Sequence, residues 1–136
     1  MPGILGIGAD DACPCDSGLP YGGCCGPLHR GRVAETAEAL MRSRYSAYAL
    51  GETDHLWRTW HPRTRPERVT ERDALVWRGL VVEEVVDGGT DDEEGVVQFT
   101  ATYDGPAGRA VLHERSRFAR RGGRWVYVDG VEPGPS

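Results

Sequence analysis

A chain of 136 residues is long enough to bury one core of its own, with room for a single small appendage. Hydrophobic residues make up 39% and charged residues 27%, the balance of an ordinary soluble domain. The 21 acids against 16 bases leave a net charge of −5, which argues against a general nucleic-acid binder.

All 16 bases are arginine, a usage that fits genome composition bias. No apolar run approaches the ~18 to 20 residues that a membrane span requires. The opening MPGILGIGADDAC lacks the basic n-region of a secretory signal. The cytoplasm, where thiols stay reduced, is therefore the expected compartment. Residues 1–11 read as a flexible N-terminus.

All four cysteines follow in one Gly- and Pro-rich stretch, CPCDSGLPYGGCCG, at positions 13, 15, 24 and 25. Three chemistries compete for them. Disulfides suit neither the compartment nor a domain of this size. A redox pair prefers Cys-x-x-Cys at a helix start, and the adjacent pair Cys24–Cys25 could close only a strained ring. A structural metal fits best, because four thiolates make a closed tetrahedral zinc site. Pro14 presets one turn angle, while Gly18, Gly22, Gly23 and Gly26 permit the positive φ values of a knuckle. Asp16 and Ser17 supply local turn hydrogen bonds.

This stretch resembles the SEC-C motif, the zinc knuckle at the C-terminus of the SecA translocation ATPase and in many small bacterial proteins. The motif runs Cys-x-Cys-x8-Cys followed by Cys or His. It implies Cys13, Cys15, Cys24 and Cys25 as ligands of one structural zinc, with Ser17, Gly18 and Tyr21 matching the usual run. Asp16 departs from it, standing where the motif has Gly. Leu19, Pro20, Gly22 and Gly23 stand where SecA-type knuckles are often lysine-rich, so a grip on SecB or lipid is not carried over.

Residues 26–32, GPLHRGR, read as a linker-like turn. Val33, Ala37, Leu40, Met41, Arg44, Tyr45 and Tyr48 then recur at helical spacing, with Glu35, Glu38, Arg42 and Ser46 on the other side. Glu38 and Arg42 are spaced as an i,i+4 ion pair, and Gly51 stops the helix. A second helix reads ETDHLWRTWH, capped by Thr53 or Asp54, with Leu56, Trp57 and Trp60 as its apolar edge and Pro62 at its end. The stretch PRTRPERVTERD reads as a polar loop.

From residue 75 the period changes to two. Strands are expected at about 77–86, 95–103, 110–120 and 124–129, joined by the turns DGGTDDEEG, DGPAG and RRGGR. Helices followed by an antiparallel meander make an α+β fold with the helices on one face of the sheet.

The run AEALMRSRYSAYALGETDHLWRTWHP, with HERSRFARRGGRWVYVDG near the end, is very similar to YchJ-like proteins. These are functionally uncharacterised bacterial proteins that pair an N-terminal SEC-C knuckle with a nuclear-transport-factor-two-like cone. The resemblance implies a knuckle over 12–30, a cone-shaped domain with a curved antiparallel sheet over 31–130, and a C-terminal tail over 131–136.

Within such a cone, alternation turns Leu112, Glu114, Ser116 and Phe118 inward, and His113, Arg115 and Arg117 outward. A buried Glu114 needs a partner, for which Arg44, Tyr45 and Tyr48 are the candidates. Without a cation beside it, Glu114 could serve as a general base; a satisfied core network is the preferred reading. The outward stripe could meet an acidic partner, although a sheet face balanced by acids on the next strand is the commoner case. Tyr45, Tyr48, Trp57, Trp60, His61 and Glu114 are the candidate pocket residues. No catalytic constellation emerges, and a zinc with four protein ligands has no position open for water.

Two functions are carried forward. The first is a non-catalytic zinc-binding interaction module or adaptor, its partner in translocation or ribosome-associated machinery. The alternative is small-molecule binding, or a lyase or isomerase activity, in the cone.

Overall fold

Four strands with clear two-residue alternation form the body of this computed structural model, which describes residues 7–69 and 75–133. They are β1 (Val76–Asp87), β2 (Glu94–Gly105), β3 (Gly108–Arg121) and β4 (Arg124–Val131). They pair antiparallel in sequence order as one meander. Each runs a residue or more beyond its expected span. Register shifts at Trp77/Gly79 and Val82/Glu84 in β1, and opposite Arg117/Phe118 in β3, bend the sheet, as bulges do.

The inward face carries Leu80, Val97, Phe99, Ala101, Phe118 and Trp125, all buried. Against it lies the helix α2 (Ala37–Leu50), presenting Leu40, Met41 and Tyr45. A five-residue helix, α1 (Cys25–His29), precedes it where a turn was expected. Pro27 is tolerated there because the first turn's N–H groups have no intrahelical partner. α2 starts four residues later than the periodicity predicts. Thr36 caps it by accepting from the Ala39 N–H at 3.1 Å, which leaves Val33 outside and exposed.

The third helix, α3 (Thr53–Arg58), has Glu52 at its N-cap and no side-chain cap bond, so neither Thr53 nor Asp54 plays that part. It ends well before Pro62. Thr59 to His61 leave the helix to pair with β4: the Tyr127 N–H donates to the Thr59 carbonyl and the His61 N–H to the Tyr127 carbonyl, each at 2.7 Å. This short bridge closes one side of the cone. No helix among the described residues is long and apolar enough to cross a membrane. The expected polar loop after Pro62 falls partly outside the described residues, as do most of the N-terminal segment and the end of the C-terminal tail.

The N-terminus of α2 is pinned to the β1–β2 turn. The Ala37 N–H donates to the Gly88 carbonyl at 2.9 Å. Gly88 has φ of +77°, and a Cβ there would sit 2.7 Å from the Ala37 Cβ. Gly88→Ala should therefore cost about 3 kcal/mol, the sum of a left-handed alanine and an overpacked contact. Gly122→Ala is the control, with φ of +59° and open space around it, and should cost about 1 kcal/mol. Urea unfolding midpoints of the two variants check the difference.

Candidate metal centre and cone cavity

The cysteine stretch folds back on itself through hydrogen bonds from the Cys13 N–H to the Leu19 carbonyl and from the Asp16 N–H to the Cys13 carbonyl. The four Sγ atoms all lie within 4.8 Å of one another. Cys15 and Cys24 are 3.6 Å apart, and Cys24 and Cys25 are 3.9 Å apart. Sulfurs about 2.3 Å from a central zinc form a tetrahedron with edges of about 3.8 Å. The donor set therefore fits that ion, and all four cysteines are free thiols rather than disulfides.

Crowded sulfurs titrate unequally. Cys13 is driven strongly toward thiolate because Cys15 and Cys25 donate to it. Cys25 is held as thiol chiefly by that same contact with Cys13, and burial pushes Cys24 up to about 11. A dication in place of the shared protons would satisfy all four at once.

Neighbouring groups support the sulfurs. The Ser46 hydroxyl donates to Cys25 Sγ at 3.3 Å and lies 3.6 Å from Cys13 Sγ. Ser17 Oγ is 3.1 Å from Cys24 Sγ. Arg42 donates to the Cys15 carbonyl at 2.8 Å while also pairing with Glu38. Ser46 thus faces the thiols, fully buried, rather than the polar side of α2 where hydropathy placed it.

Asp16, the departure from the motif, adopts φ of +61°, a conformation that Asp tolerates better than most residues. Its carboxylate accepts from the Leu80 N–H of β1 at 3.0 Å. The replacement of Gly by Asp thus adds a tie between knuckle and sheet.

A chain of polar groups that the sequence reading missed joins α1 to α2 and α3. Tyr21 donates to His29 Nδ1 at 2.6 Å, and His29 Nε2 donates to the Ser43 carbonyl at 2.8 Å. Ser43 Oγ bonds His55 Nε2 at 2.8 Å. Burial holds His29 below the ordinary histidine range, and pushes His55 down to about 3 with help from His29, Arg44 and Arg58.

The sheet and α2 enclose a cavity of about 190 Å³. Tyr45, Tyr48, Trp60 and Glu114 line it, along with Arg44, Trp77 and Tyr127. Trp57 and His61 do not. Trp57 is 42% exposed, with the Arg65 guanidinium stacked 3.5 Å from its ring centroid. His61 is turned away by the bridge to Tyr127, and its Nδ1 accepts from the Arg63 N–H. Both expectations are corrected: the six residues of α3 have one buried face, which His55 and Leu56 fill, and His61 lies beyond the helix in the bridge to β4.

Glu114 is partnered by none of the three expected residues. Its Oε2 accepts from Ser116 at 2.6 Å and from Tyr127 at 3.0 Å. Arg44 instead donates to the Leu56 carbonyl and to Thr59 Oγ1, and its guanidinium packs against both the Trp60 and Tyr127 rings, 4.9 and 4.6 Å from their centroids. On the opposite face of the sheet the basic stripe is balanced by acids. His113 pairs with Glu83, Arg115 with Glu84 and Arg117 with Asp129.

A second cleft, of about 330 Å³, lies between α3 and the β3–β4 hairpin. Arg32, Arg58, Arg65, Arg121 and Arg124 line it, and no acidic residue does. Of these, only Arg58 has a carboxylate partner among the described residues, namely Asp54.

The description "YchJ, middle NTF2-like domain" matches residues 36–130. The chain belongs to the YchJ family. A UPF0225 protein of Streptomyces coelicolor is 49% identical over 119 residues, covering 87% of this chain and 93% of the relative. One from Deinococcus radiodurans is 47% identical over 122 residues, 88% of each. The solution structure of a SEC-C motif containing protein from Rhodopseudomonas palustris superposes with a TM-score of 0.78 at 34% identity, covering 91% of this chain and all of that one. A sec-c motif containing protein from Psychrobacter arcticus, solved by crystallography, gives 0.75 at 25% identity, covering 94% and 86%. The YchJ-family cone with an N-terminal cysteine knuckle is therefore the architecture of this chain.

Proposed function

We propose that this protein is a non-catalytic, cytoplasmic zinc-binding interaction module. One zinc per chain, held by Cys13, Cys15, Cys24 and Cys25, would fasten the knuckle to the cone. The observation that carries the reading is the closed set of four sulfurs within 4.8 Å, three of them buried. Such a site leaves no position for water and serves structure.

The arginine cleft supports the interaction half of the reading. In a chain of net charge −5, five arginines converge on a wall free of acids. Guanidinium groups so placed suit the carboxylates of an acidic protein segment. A short acidic segment carries fewer charges than a nucleic-acid backbone, so the chain's net charge of −5 opposes it less. A component of translocation or ribosome-associated machinery presenting such a segment is the partner class proposed.

Native mass spectrometry of tag-free protein, alone and mixed with a Glu/Asp-rich decapeptide, tests both halves. One zinc per chain and a 1:1 peptide complex, lost in Arg121→Glu/Arg124→Glu, are expected. Zinc-free protein carrying oxidised thiols would sink the metal reading. A complex with an oligonucleotide in place of the peptide would overturn the partner class.

A further inference from the structure

The cone cavity holds one buried cation and one carboxylate that do not touch. Arg44 spends Nη1 on the Leu56 carbonyl and Thr59 Oγ1, while Nε and Nη2 have no partner among the described residues. Glu114 receives both of its hydrogen bonds on Oε2, leaving Oε1 without one among the same residues. Glu114 is held in place, because its side chain lies across Gly130, where any Cβ would collide with it. The Trp60 and Tyr127 rings, set edge to face against each other, both pack on the guanidinium and hold it in place. Arg44 is only 6% exposed. A buried guanidinium with unclaimed donors is costly unless an acceptor reaches it.

Around these two groups much of the wall is apolar, with Met41, Phe99, Ala101, Leu112 and Phe118, and Tyr45 and Tyr48 add their rings to it. Water satisfies the two polar groups but is poorly held along such walls. A cavity of ~150 Å³ is enough for a benzene ring, so this one, at about 190 Å³, admits a ring with small substituents. The two opposite charges cancel, and a ligand with net charge would bring an uncompensated desolvation cost into the low-dielectric interior.

We propose that the cone binds a ring-sized, uncharged hydroxylated aromatic carbonyl compound. Its carbonyl accepts from the free donors of Arg44, its hydroxyl donates to Glu114 Oε1, and its ring lies against the apolar walls. This site is separate from the knuckle and, among the described residues, shares only the Trp60 wall with the arginine cleft.

The test compares three probes by calorimetry and ligand-observed NMR: 4-hydroxyacetophenone, acetophenone, which lacks the donor, and phenol, which lacks the acceptor. The full probe should bind at least about tenfold more tightly than either truncated one, the discrimination expected of a hydrogen bond to a buried charged group. Glu114→Gln keeps an acceptor for Tyr127 and Ser116, so it should fold. It should weaken the full probe several-fold and leave acetophenone unchanged. Arg44→Met should abolish the advantage of the carbonyl, and if it fails to fold, the Glu114 variant alone decides. Equal binding of all three probes, or none at millimolar concentration, would overturn the proposal. So would tighter binding of 4-hydroxybenzoate, whose charge the cavity should reject. The probes report on the cone alone, so they stand or fall apart from zinc content and peptide binding.

Discussion

Cys25→Ser is expected to abolish zinc binding and to lower stability by on the order of 4 kcal/mol, enough to take more than ~12 °C off the melting temperature. The size follows from where the sulfur sits. Cys25 is 1% exposed and begins α1, and Cys13 and Cys15 are equally sealed. These thiols belong to the same buried cluster as Ala37, Met41 and Tyr45 of α2. Losing the metal therefore does more than loosen an appendage. It would leave two buried sulfurs and the half-buried Cys24 competing for protons against the face of α2 that supports the cone.

Cys24→Ser is the informative comparison. Cys24 is half-buried at the rim, where its visible support is Ser17. Its loss should weaken zinc affinity and cost less stability than loss of Cys25. Zinc release followed with a chromogenic chelator, alongside thermal melts with and without excess chelator, measures both. If the metal-free protein melts where the zinc form does, zinc contributes nothing to folding and the fastening role fails.

The parts of the molecule that could be read from sequence are those whose cause is local. The strands declare themselves through alternation between Gly-rich turns. Glu114 reads as inward because Leu112 and Phe118 flank it at the same parity. The cysteine spacing fits a closed donor set because a knuckle needs few long-range contacts. What escaped depends on partners far along the chain. Ser46 looks polar, and nothing near it in sequence reveals that it meets thiols 21 and 33 residues away. No motif singles out His29 or His55, yet Ser43 bonds both. Helical spacing points to α2 for the partner of Glu114, while Tyr127 reaches it from the neighbouring strand. Hydropathy puts Trp57 on the apolar edge of its helix and among the pocket candidates, but α3 is too short to bury it as well as Leu56, and Arg65 covers it instead.

The histidine chain predicts a second large effect, in acid. His55 has an ordinary value of 6.5 and is pushed down to about 3 in the folded protein, first by burial and then by His29, Arg44 and Arg58. The Leu28 carbonyl opposes the shift. Above pH 6.5 the ring is neutral in both the folded and unfolded states and its titration favours neither. Below that, the unfolded chain takes up the proton and the folded one does not, so stability falls as pH falls, down to about pH 3. At pH 5 the loss from His55 alone is about 2 kcal/mol, and it approaches 4 to 5 kcal/mol near the bottom of the window. His29, shifted in the same direction, adds to it. Urea unfolding at pH 7, 6 and 5, with zinc content followed in parallel, separates this loss from protonation of the thiolates. His55→Gln should lower stability at pH 7, where it disturbs the bond to Ser43, yet flatten the decline between pH 7 and 5 by roughly one proton's worth. A variant that declines as steeply as the parent would show that the acid sensitivity resides in the knuckle rather than in the buried ring.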